Sequence, residues 1–458
     1  MHDVVVIGGG ISGLATAHDL MQRGLDVQLL ERQVRTGGNA ISERFDGFLM
    51  EHGPSTFNAS VPEAVDQIAA LGLLDEAYDL GPNVKQRYLR DAGNLTGIAA
   101  SPMGFFKSDY LSLKARIRMV FEGLIPRNKT NQEESIHSFV ARRFGAEFAD
   151  KVMDPMAAGI FMGESKQLSI NAAFPKLVEM EQTLGSITRG VLRAKRGSEP
   201  GRHLYSWGGG IGTIPDMFSR QLGACVRTGV TVTGLVKTAN GFLVNTTAGR
   251  LDARCVVLAV QPHVASGLLE NLDPIGASTT AEIATPAVNV AFFGFRRDQV
   301  QHPLDGLGFL TTKDKNCILS GAQFASTMYP GRAPDGFVSI SAYAGGARNP
   351  ELTAMPEADL VEQMHQELAE TLGIKGAPVV SRLRRWALGL PQYTIGHTAR
   401  QKVFSQTPQR VEGLFLTGNY TGGVSVANCL KSALRTSESV AKNVSHSQPQ
   451  LLVSSGKP

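Results

Sequence analysis

The sequence is poor in cysteine and contains no long apolar run. Its four cysteines form no CxxC pair and no ligand-like cluster: Cys225, Cys255, Cys317 and Cys429. This pattern argues against a zinc site or a disulfide scaffold and makes a reducing compartment the expectation. No stretch of about 18 apolar residues is present, so no segment is predicted to span a bilayer. The chain enters an apolar strand without a basic n-region or cleavage site, so no signal peptide is predicted and a cytoplasmic location is expected.

Charged residues are also scarce, at 19% of the chain, and the net charge is only +4. That balance is too mild to indicate a nucleic-acid partner, and none is expected. Hydrophobic residues make up 42% of the 458 residues, which predicts a folded chain of about three domains. Glycine, in contrast, is abundant with 50 residues, which indicates many tight turns and close approaches of the backbone to a ligand.

The start of the chain carries a dinucleotide-binding pattern. An apolar strand at 4–7 leads into GxGxxG, with glycines at Gly8, Gly10 and Gly13, then into a helix and a second strand that ends in Glu31. The glycines permit a tight turn against a diphosphate, and the helix N-terminus offers N–H groups and a partial positive charge. A carboxylate at the end of the second strand accepts hydrogen bonds from a ribose. The complete order favours this interpretation over a simple glycine-rich turn.

A second glycine pair, Gly37-Gly38, follows the acidic residue. Flavoproteins that bury FAD often place such a loop beside the diphosphate, whereas nicotinamide dehydrogenases have no standing need for it. We therefore predict FAD as the cofactor, with a nicotinamide as the alternative.

A strand, a glycine-rich loop and a helix recur near the C-terminus. The strand at 414–416 is followed by Gly418, by Gly422-Gly423 and by a helix that begins near Ser425. A helix N-terminus aimed at a flavin ring stabilises the negative charge of the reduced ring. Two backbone cradles, one at each end of the chain, are thus predicted to hold one FAD. The alternative is an α/β turn without a ligand.

Residues 101–130 are basic, with six Lys and Arg against two Asp and Glu. Leu113, Ile117, Val120 and Leu124 recur at helical spacing. The predicted amphipathic helix has three interpretations: it lies on an anionic membrane surface, it lines an entry for an acidic substrate, or it is a core helix with a solvated basic face.

With these motifs, the sequence resembles the protoporphyrinogen/coproporphyrinogen oxidase branch of the flavin-dependent amine oxidase superfamily over most of residues 3–440. The segments specific to this branch are Asp154-Pro155, Gly159–Gly163, Leu168-Ser169, Ala173–Leu177, Gly308–Leu310, Arg332–Pro334, Gly345-Gly346, Pro391–Tyr393, Gly396-His397 and Gly418-Asn419. The family usually has arginine after the second glycine pair. This chain has Asn39 there, so one phosphate or ribose contact is expected to be made differently.

The resemblance implies an α/β fold with a Rossmann-like FAD-binding domain and an α+β substrate domain that contains an antiparallel sheet and a helical insertion. The FAD-binding domain is expected at 1–79, 202–266 and 385–445, and the substrate domain at 80–96 and 267–384. Residues 97–201 are expected to form the helical insertion. The remaining residues, 446–458, are expected to be a disordered tail.

The resemblance also implies a set of site residues. Arg87 is expected to pair with a substrate propionate, Gly159 to face the macrocycle with its carbonyl, and Leu310 to pack on a pyrrole ring. The cofactor residues are expected to be Gly8, Gly10, Ile11, Ser12, Gly13, Glu31, Arg32, Gly37, Gly38, Asn39, Gly53, Pro54, Ser55, Val232, Gly418, Asn419, Gly423 and Val424. No catalytic side chain and no metal ligand is predicted, and His52 and His397 are expected to hold structure.

The implied function is an FAD-dependent oxidase of heme biosynthesis that removes six electrons from protoporphyrinogen IX to give protoporphyrin IX. Hydride transfer to flavin N5 is expected, with molecular oxygen as the acceptor. The alternatives are oxidation of coproporphyrinogen III to coproporphyrin III, another flavin amine oxidase or desaturase, and a flavoprotein that delivers porphyrin without turnover. An amine oxidase is disfavoured because only Trp207 and Trp386 are available for an aromatic cage.

Overall fold

The described part of the chain forms two seven-stranded sheets, two two-stranded sheets and a group of helices. The computed structural model describes residues 1–99, 104, 108–130, 132–197, 204–314 and 317–446. The strands are β1 His2–Ile7, β2 Val27–Leu30, β3 Ser42–Phe45, β4 Phe48–Glu51, β5 Phe57–Asn58, β6 Gln86–Asp91, β7 Asn94–Ala99, β8 Leu204–Tyr205, β9 Val226–Arg227, β10 Val232–Thr238, β11 Gly241–Thr246, β12 Gly249–Leu258, β13 Val288–Arg296, β14 Gly306–Thr311, β15 Leu319–Gln323, β16 Phe337–Gly345, β17 Val380–Trp386 and β18 Leu414–Leu416.

The α-helices span Ile11–Gln22, Pro62–Ala70, Leu113–Val120, Ile136–Phe144, Ala146–Phe148, Asp154–Phe161, Ile170–Ala173, Pro175–Leu184, Ile187–Gly197, Thr213–Leu222, Pro262–Leu269, Pro274–Ala281, Ala325–Met328, Glu357–Leu372, His397–Ser405, Thr407–Arg410 and Val426–His446. None of the helices in the described part of the chain combines the length and the apolar character needed to cross a bilayer.

The first sheet has the order β10-β11-β12-β1-β2-β9, and β18 also pairs with β12. β1 is parallel to β2 and to the second half of β12, which is in turn parallel to β18. Val4, Val5 and Val6 are fully buried. Burial on both faces is typical of a parallel strand between helices and explains the unbroken β-branched run. The carboxyl ends of β1, β2 and β18 therefore meet at one edge, where both predicted cradles begin.

The second sheet has the order β17-β13-β16-β15-β14-β6-β7 and is antiparallel except for the β14–β6 pair. One face packs on the helix Glu357–Leu372, whose apolar residues join the sheet core. The opposite face contacts the helical insertion, because Leu89 and Ile98 of the sheet pack with Tyr110 and Leu111 of the insertion. The predicted combination of a Rossmann-like sheet, an antiparallel sheet and a helical insertion is confirmed.

The helical insertion is held by a buried ion-pair network. Arg143 and Glu122 are fully buried and hydrogen-bonded to each other, and Glu181 lies 3.3 Å from the same guanidinium. Arg143 also donates to the carbonyl oxygens of Ile125 at 2.8 Å and Gly185 at 2.9 Å. A buried charge of this kind is tolerated only because its donors are satisfied.

The predicted amphipathic helix is an α-helix at Leu113–Val120 that continues as a 3₁₀ helix at Phe121–Leu124. Its apolar residues point outward. We call the following residues, which are 48–74% exposed, the apolar patch: Leu113, Ile117, Val120, Phe121 and Leu124. The interpretation as a core helix is wrong for these side chains; the buried face is instead formed by Ala115 and Met119.

Four of the predicted segment boundaries fall inside elements rather than between them. Position 96 lies within β7, position 266 within the helix Pro262–Leu269, position 384 within β17, and position 445 within the helix Val426–His446. The division into domains stays a prediction. The predicted disordered tail, apart from His446, lies outside the described residues.

Candidate functional site

A cavity of about 760 Å³ lies between the two sheets and the helical insertion. It is lined by most of the predicted site residues: Gly8, Gly10, Ile11, Ser12, Glu31, Arg32, Gly37, Gly38, Asn39, Gly53, Pro54, Ser55, Gly159, Val232, Leu310, Gly418, Asn419 and Val424. Gly13, Arg87 and Gly423 are not part of the lining. The structure thus brings residues from both ends of the chain and from the substrate sheet to one cavity.

The first cradle depends on glycine because its backbone is crowded. A Cβ atom on Gly13 would lie 1.9 Å from the carbonyl oxygen of Gly8, and one on Gly8, whose φ is +107°, would lie 2.5 Å from that of Ala259. The helix Ile11–Gln22 follows at once, and no described side chain caps its N-terminus. Its first N–H groups therefore remain available to an anion in the cavity.

The acidic residue at the end of β2 is held in place by backbone donors. Glu31 Oε2 accepts from the N–H of Gly9 at 2.7 Å, and Oε1 accepts from the N–H of Gln33 at 2.8 Å. These bonds fix the carboxylate at the cavity wall while leaving further lone pairs on each oxygen. This arrangement suits a carboxylate that binds ribose hydroxyls.

The second glycine pair packs directly on the first cradle. The N–H of Gly37 donates to the carbonyl oxygen of Gly9 at 2.8 Å. Gly37 and Gly38 both have positive φ, at +98° and +59°, and a Cβ on Gly38 would lie 3.1 Å from the Cα of Gly10. The two glycine loops therefore form one continuous backbone wall.

The C-terminal loop is held by two aromatic side chains. The Tyr393 hydroxyl donates to the carbonyl oxygen of Asn419 at 2.5 Å and accepts from the N–H of Gly423 at 2.9 Å. The His397 ring stacks on the Tyr393 ring at 3.9 Å, and its Nε2–H donates to the carbonyl oxygen of Tyr420 at 3.0 Å. Gly423 thus takes part in shaping the loop without lining the cavity.

Burial lowers the pKa of His397 from 6.5 to about 4, against a smaller opposing effect of its bond to the Tyr420 carbonyl. With Nε2 donating, Nδ1 carries no proton, and it is buried without a partner in the described structure. A neutral, stacked ring of this kind supports the loop and is unsuited to act as a base at neutral pH.

The floor of the cavity is one row of residues that runs across the second sheet. Leu310 pairs with Gly321, Gly321 with Tyr343, Tyr343 with Val290, and Val290 with Arg384. Directly paired residues point to the same face of a sheet, and all five line the cavity. The sheet thereby provides a broad and mainly apolar surface.

The insertion covers one end of this floor at Gly159. A Cβ atom there would lie only 2.5 Å from Leu310 Cδ2, so the helix Asp154–Phe161 approaches the sheet without room for a side chain. Two of the three predicted substrate residues, Gly159 and Leu310, therefore meet at one point of the cavity.

Arg87 lies on β6 at the rim. It is exposed, and the side chains of Arg87 and Leu89 point to the same face. Leu89 pairs with Leu310, so strand geometry places the Cα atoms of Arg87 and Leu310 about 8 Å apart. No described residue accepts a hydrogen bond from its guanidinium.

The lining residues that were not predicted from the sequence include Gln323, Tyr343, Arg384 and Trp386. The Ser55 hydroxyl donates to Gln323 Oε1 at 2.7 Å, and the Tyr343 hydroxyl donates to the same atom at 3.0 Å. These bonds join the cofactor loop to the substrate sheet. The residues lie on strands without a motif, and only the rarity of tryptophan could have drawn attention to one of them.

The groups around the cavity fit FAD. They are backbone N–H donors, a carboxylate that accepts from ribose hydroxyls and an apolar floor for a ring system, with glycines where the backbone must approach a ligand closely. In the part of the chain that the structure describes, no group of three or more His, Cys, Asp or Glu residues is placed to hold a metal ion.

Comparison with known proteins agrees with this fit. Residues 11–441 match the sequence profile of the family described as flavin containing amine oxidoreductase. The chloroplastic protoporphyrinogen oxidase of Nicotiana tabacum is 30% identical over 96% of this chain and 85% of the relative. The coproporphyrinogen III oxidase of Bacillus subtilis is 27% identical over 93% of this chain and 95% of the relative.

The fold is similar to that of a crystal structure from Exiguobacterium sp. 255-15, provisionally named a protoporphyrinogen oxidase. The TM-score is 0.83, with 24% identity over 95% of this chain and 98% of the other.

Proposed function

Because the chain belongs to the flavin-containing amine oxidoreductase family and is an FAD-dependent oxidoreductase, we propose that it oxidises a porphyrinogen in heme biosynthesis. The predicted family and the predicted cofactor are confirmed. The substrate class is supported by the relatives, which include protoporphyrinogen and coproporphyrinogen oxidases. FAD, when bound, supplies the two-electron acceptor.

The observation that carries the proposal is the floor of the cavity. A broad row from Leu310 to Arg384, closed at one end by Gly159, suits a large macrocycle better than a small amine. The helical insertion covers this end of the floor, and Arg87 at the rim is free to pair with a carboxylate. No side-chain base is needed for this step, because loss of a hydride from a methylene carbon of a porphyrinogen leaves a cation that is conjugated with the pyrroles, and FAD, when bound, would supply the hydride acceptor.

We propose protoporphyrinogen IX as the substrate and oxygen as the final acceptor. Loss of six electrons and six protons gives protoporphyrin IX, and three molecules of oxygen each take two electrons and two protons to form hydrogen peroxide. Coproporphyrinogen III is the alternative, favoured by the similarity to the Bacillus relative.

The test is an anaerobic titration of the holoenzyme with each porphyrinogen, followed by the flavin absorbance. We expect bleaching with protoporphyrinogen IX and recovery of the absorbance with peroxide formation when oxygen is admitted. Bleaching with coproporphyrinogen III alone would select the alternative substrate. Bleaching by amines and by neither porphyrinogen would refute the proposed function, and the absence of any bleaching would point to a porphyrin carrier.

We further propose that the apolar patch on Leu113–Leu124 rests on an anionic membrane surface. Its five large apolar side chains are exposed together, which is costly in water. Lys114 within this segment and Arg127 and Lys129 just after it are exposed and complement negative lipid headgroups.

A further inference from the structure

The charged residues that line the cavity are unbalanced. Among the described residues they comprise three arginines, Arg32, Arg35 and Arg384, and one glutamate, Glu31. No described residue forms an ion pair with Arg35 or Arg384. The wall therefore carries excess positive charge, with Arg384 partly buried and Arg32 and Arg35 exposed.

Arg384 belongs to the substrate sheet, outside both glycine cradles. Its Cζ atom lies 4.2 Å from the centroid of the Trp386 ring, and Trp386 is itself fixed by its Nε1–H, which donates to the carbonyl oxygen of His52 at 2.7 Å. Arg384 Nε is buried, and no described residue accepts a hydrogen bond from it. Burial of an unused charged donor is costly, so an arginine held in this way is prepared for an anionic ligand.

Arg35 lines the same cavity and lies on the loop before the second glycine pair. Its Nη1 donates to the carbonyl oxygens of Thr36 at 3.0 Å and Gly38 at 3.3 Å, which holds the side chain along the loop. Burial, and next the positive charge of Arg384, lower the pKa of Arg35. Both arginines line the same cavity, so an anion bound between the Arg35 loop and β17 would be attracted by both and would offset their mutual repulsion.

We propose that Arg384 and Arg35 form an anion site for the diphosphate of FAD. Two guanidiniums match a group with two negative charges, and each offers paired donors suited to phosphate oxygens. The site complements the N–H groups at the start of the helix Ile11–Gln22, which line the same cavity. It makes the substrate sheet part of the cofactor site. The inference rests on the flavin cofactor and is independent of which porphyrinogen is oxidised.

The test compares Arg384→Met, which keeps the stem on Trp386, with Arg384→Lys, which keeps the charge. Arg385→Met is the matched control, because the neighbouring residue points to the other face and donates to the Met355 carbonyl oxygen at 2.6 Å. Two quantities are measured. Release of FAD from the holoenzyme is followed by flavin fluorescence. Binding of ADP, which has the diphosphate but lacks the flavin ring, to the deflavinated protein is measured by calorimetry.

We expect Arg384→Met to raise the Kd of both FAD and ADP by about 10- to 100-fold, the value of one charged hydrogen bond. Arg384→Lys should raise both Kd values less, and Arg385→Met should change neither. The difference in Kd between wild-type protein and Arg384→Met should become smaller at high salt. Unchanged Kd values for both ligands would overturn the proposal. Weaker FAD binding with unchanged ADP binding would also overturn it, because Arg384 would then contact the flavin ring rather than the diphosphate. A higher KM with unchanged FAD binding would assign the site to a substrate carboxylate. If Arg384→Met fails to fold, Arg35→Met on the exposed loop must show the same parallel loss.

Discussion

Gly159 of the helical insertion and Leu310 of the substrate sheet approach so closely that a Cβ atom on the glycine would lie 2.5 Å from Leu310 Cδ2. The two residues are far apart in the sequence and belong to different layers of the fold. Their contact closes one end of the cavity and makes the position of the leucine side chain depend on the helix above it.

Gly159→Ala should therefore displace Leu310 rather than unfold the helix, since the atom it meets is the end of a flexible side chain. We expect kcat/KM for the porphyrinogen to fall about tenfold, in keeping with the cost of overpacking, while FAD content stays unchanged. Gly267→Ala is the control, because a Cβ there meets nothing within 4 Å in the described structure. Adding Leu310→Val should restore part of the loss; a double variant as slow as the single one would contradict the contact mechanism.

Arg87→Ala should weaken substrate binding if the guanidinium at the rim pairs with a carboxylate. One charged hydrogen bond contributes about 1.5–3 kcal/mol, so we expect KM to rise about 10- to 100-fold with little change in kcat. Steady-state kinetics with Arg296→Ala as the control would measure this, since Arg296 is exposed and bonded only locally to Asp298 and Gln299. Equal KM values in the two variants would remove Arg87 from the site.

Replacing two residues of the apolar patch, as Ile117→Ser with Leu124→Ser, should abolish binding to anionic vesicles. Each exposed aliphatic side chain contributes about 1.5–3 kcal/mol when it is fully buried, and the basic residues add an attraction that salt screens. Co-sedimentation with phosphatidylglycerol vesicles measures the binding, with Val236→Ser as a control at an exposed apolar site on β10. Wild-type protein that stays in the supernatant at low salt would rule out the membrane proposal.

His397 should make the protein acid-labile. Its folded-state pKa of about 4 lies below the ordinary 6.5, so the unfolded chain binds more protons between these values and stability falls as pH drops below 6.5. The loss approaches about 3 kcal/mol near pH 4. In His397→Gln, the melting temperature should therefore decrease less between pH 6.5 and pH 4 than it does in the wild-type protein, when each is compared with its own value at pH 7. A wild-type profile that already has no slope there would show that the ring titrates normally.

Arg143→Met should destabilise the helical insertion by about 3–5 kcal/mol, because it leaves the buried Glu122 carboxylate without its main partner. Urea unfolding followed by far-UV circular dichroism measures the change. Arg296→Ala, at an exposed ion pair, should cost less than about 1 kcal/mol. Combining Arg143→Met with Glu122→Gln should recover part of the stability. This account would be contradicted if the double variant lost more free energy of unfolding than the two single variants together.

The sequence was sufficient to predict those parts of the cavity wall that are formed by residues adjacent in the chain. Strand, glycines, helix and Glu31 follow one another directly, so hydrophobic periodicity and glycine spacing predicted the first cradle, and the same reasoning predicted the loop at Gly418. Backbone N–H groups at a helix start can be inferred locally, since the helix itself orients them.

Other features had no local signal. An amphipathic pattern gives the spacing of Leu113 and Ile117 but cannot show whether another element covers them, and here none of the described residues buries that face. Arg384 reaches the cavity only because β17 pairs with β13 in one particular register. Strand register and the docking of helices are set by packing among residues distant in the sequence, so the two cradles were determined by the sequence, whereas the cavity floor and its arginine were decided by the tertiary structure.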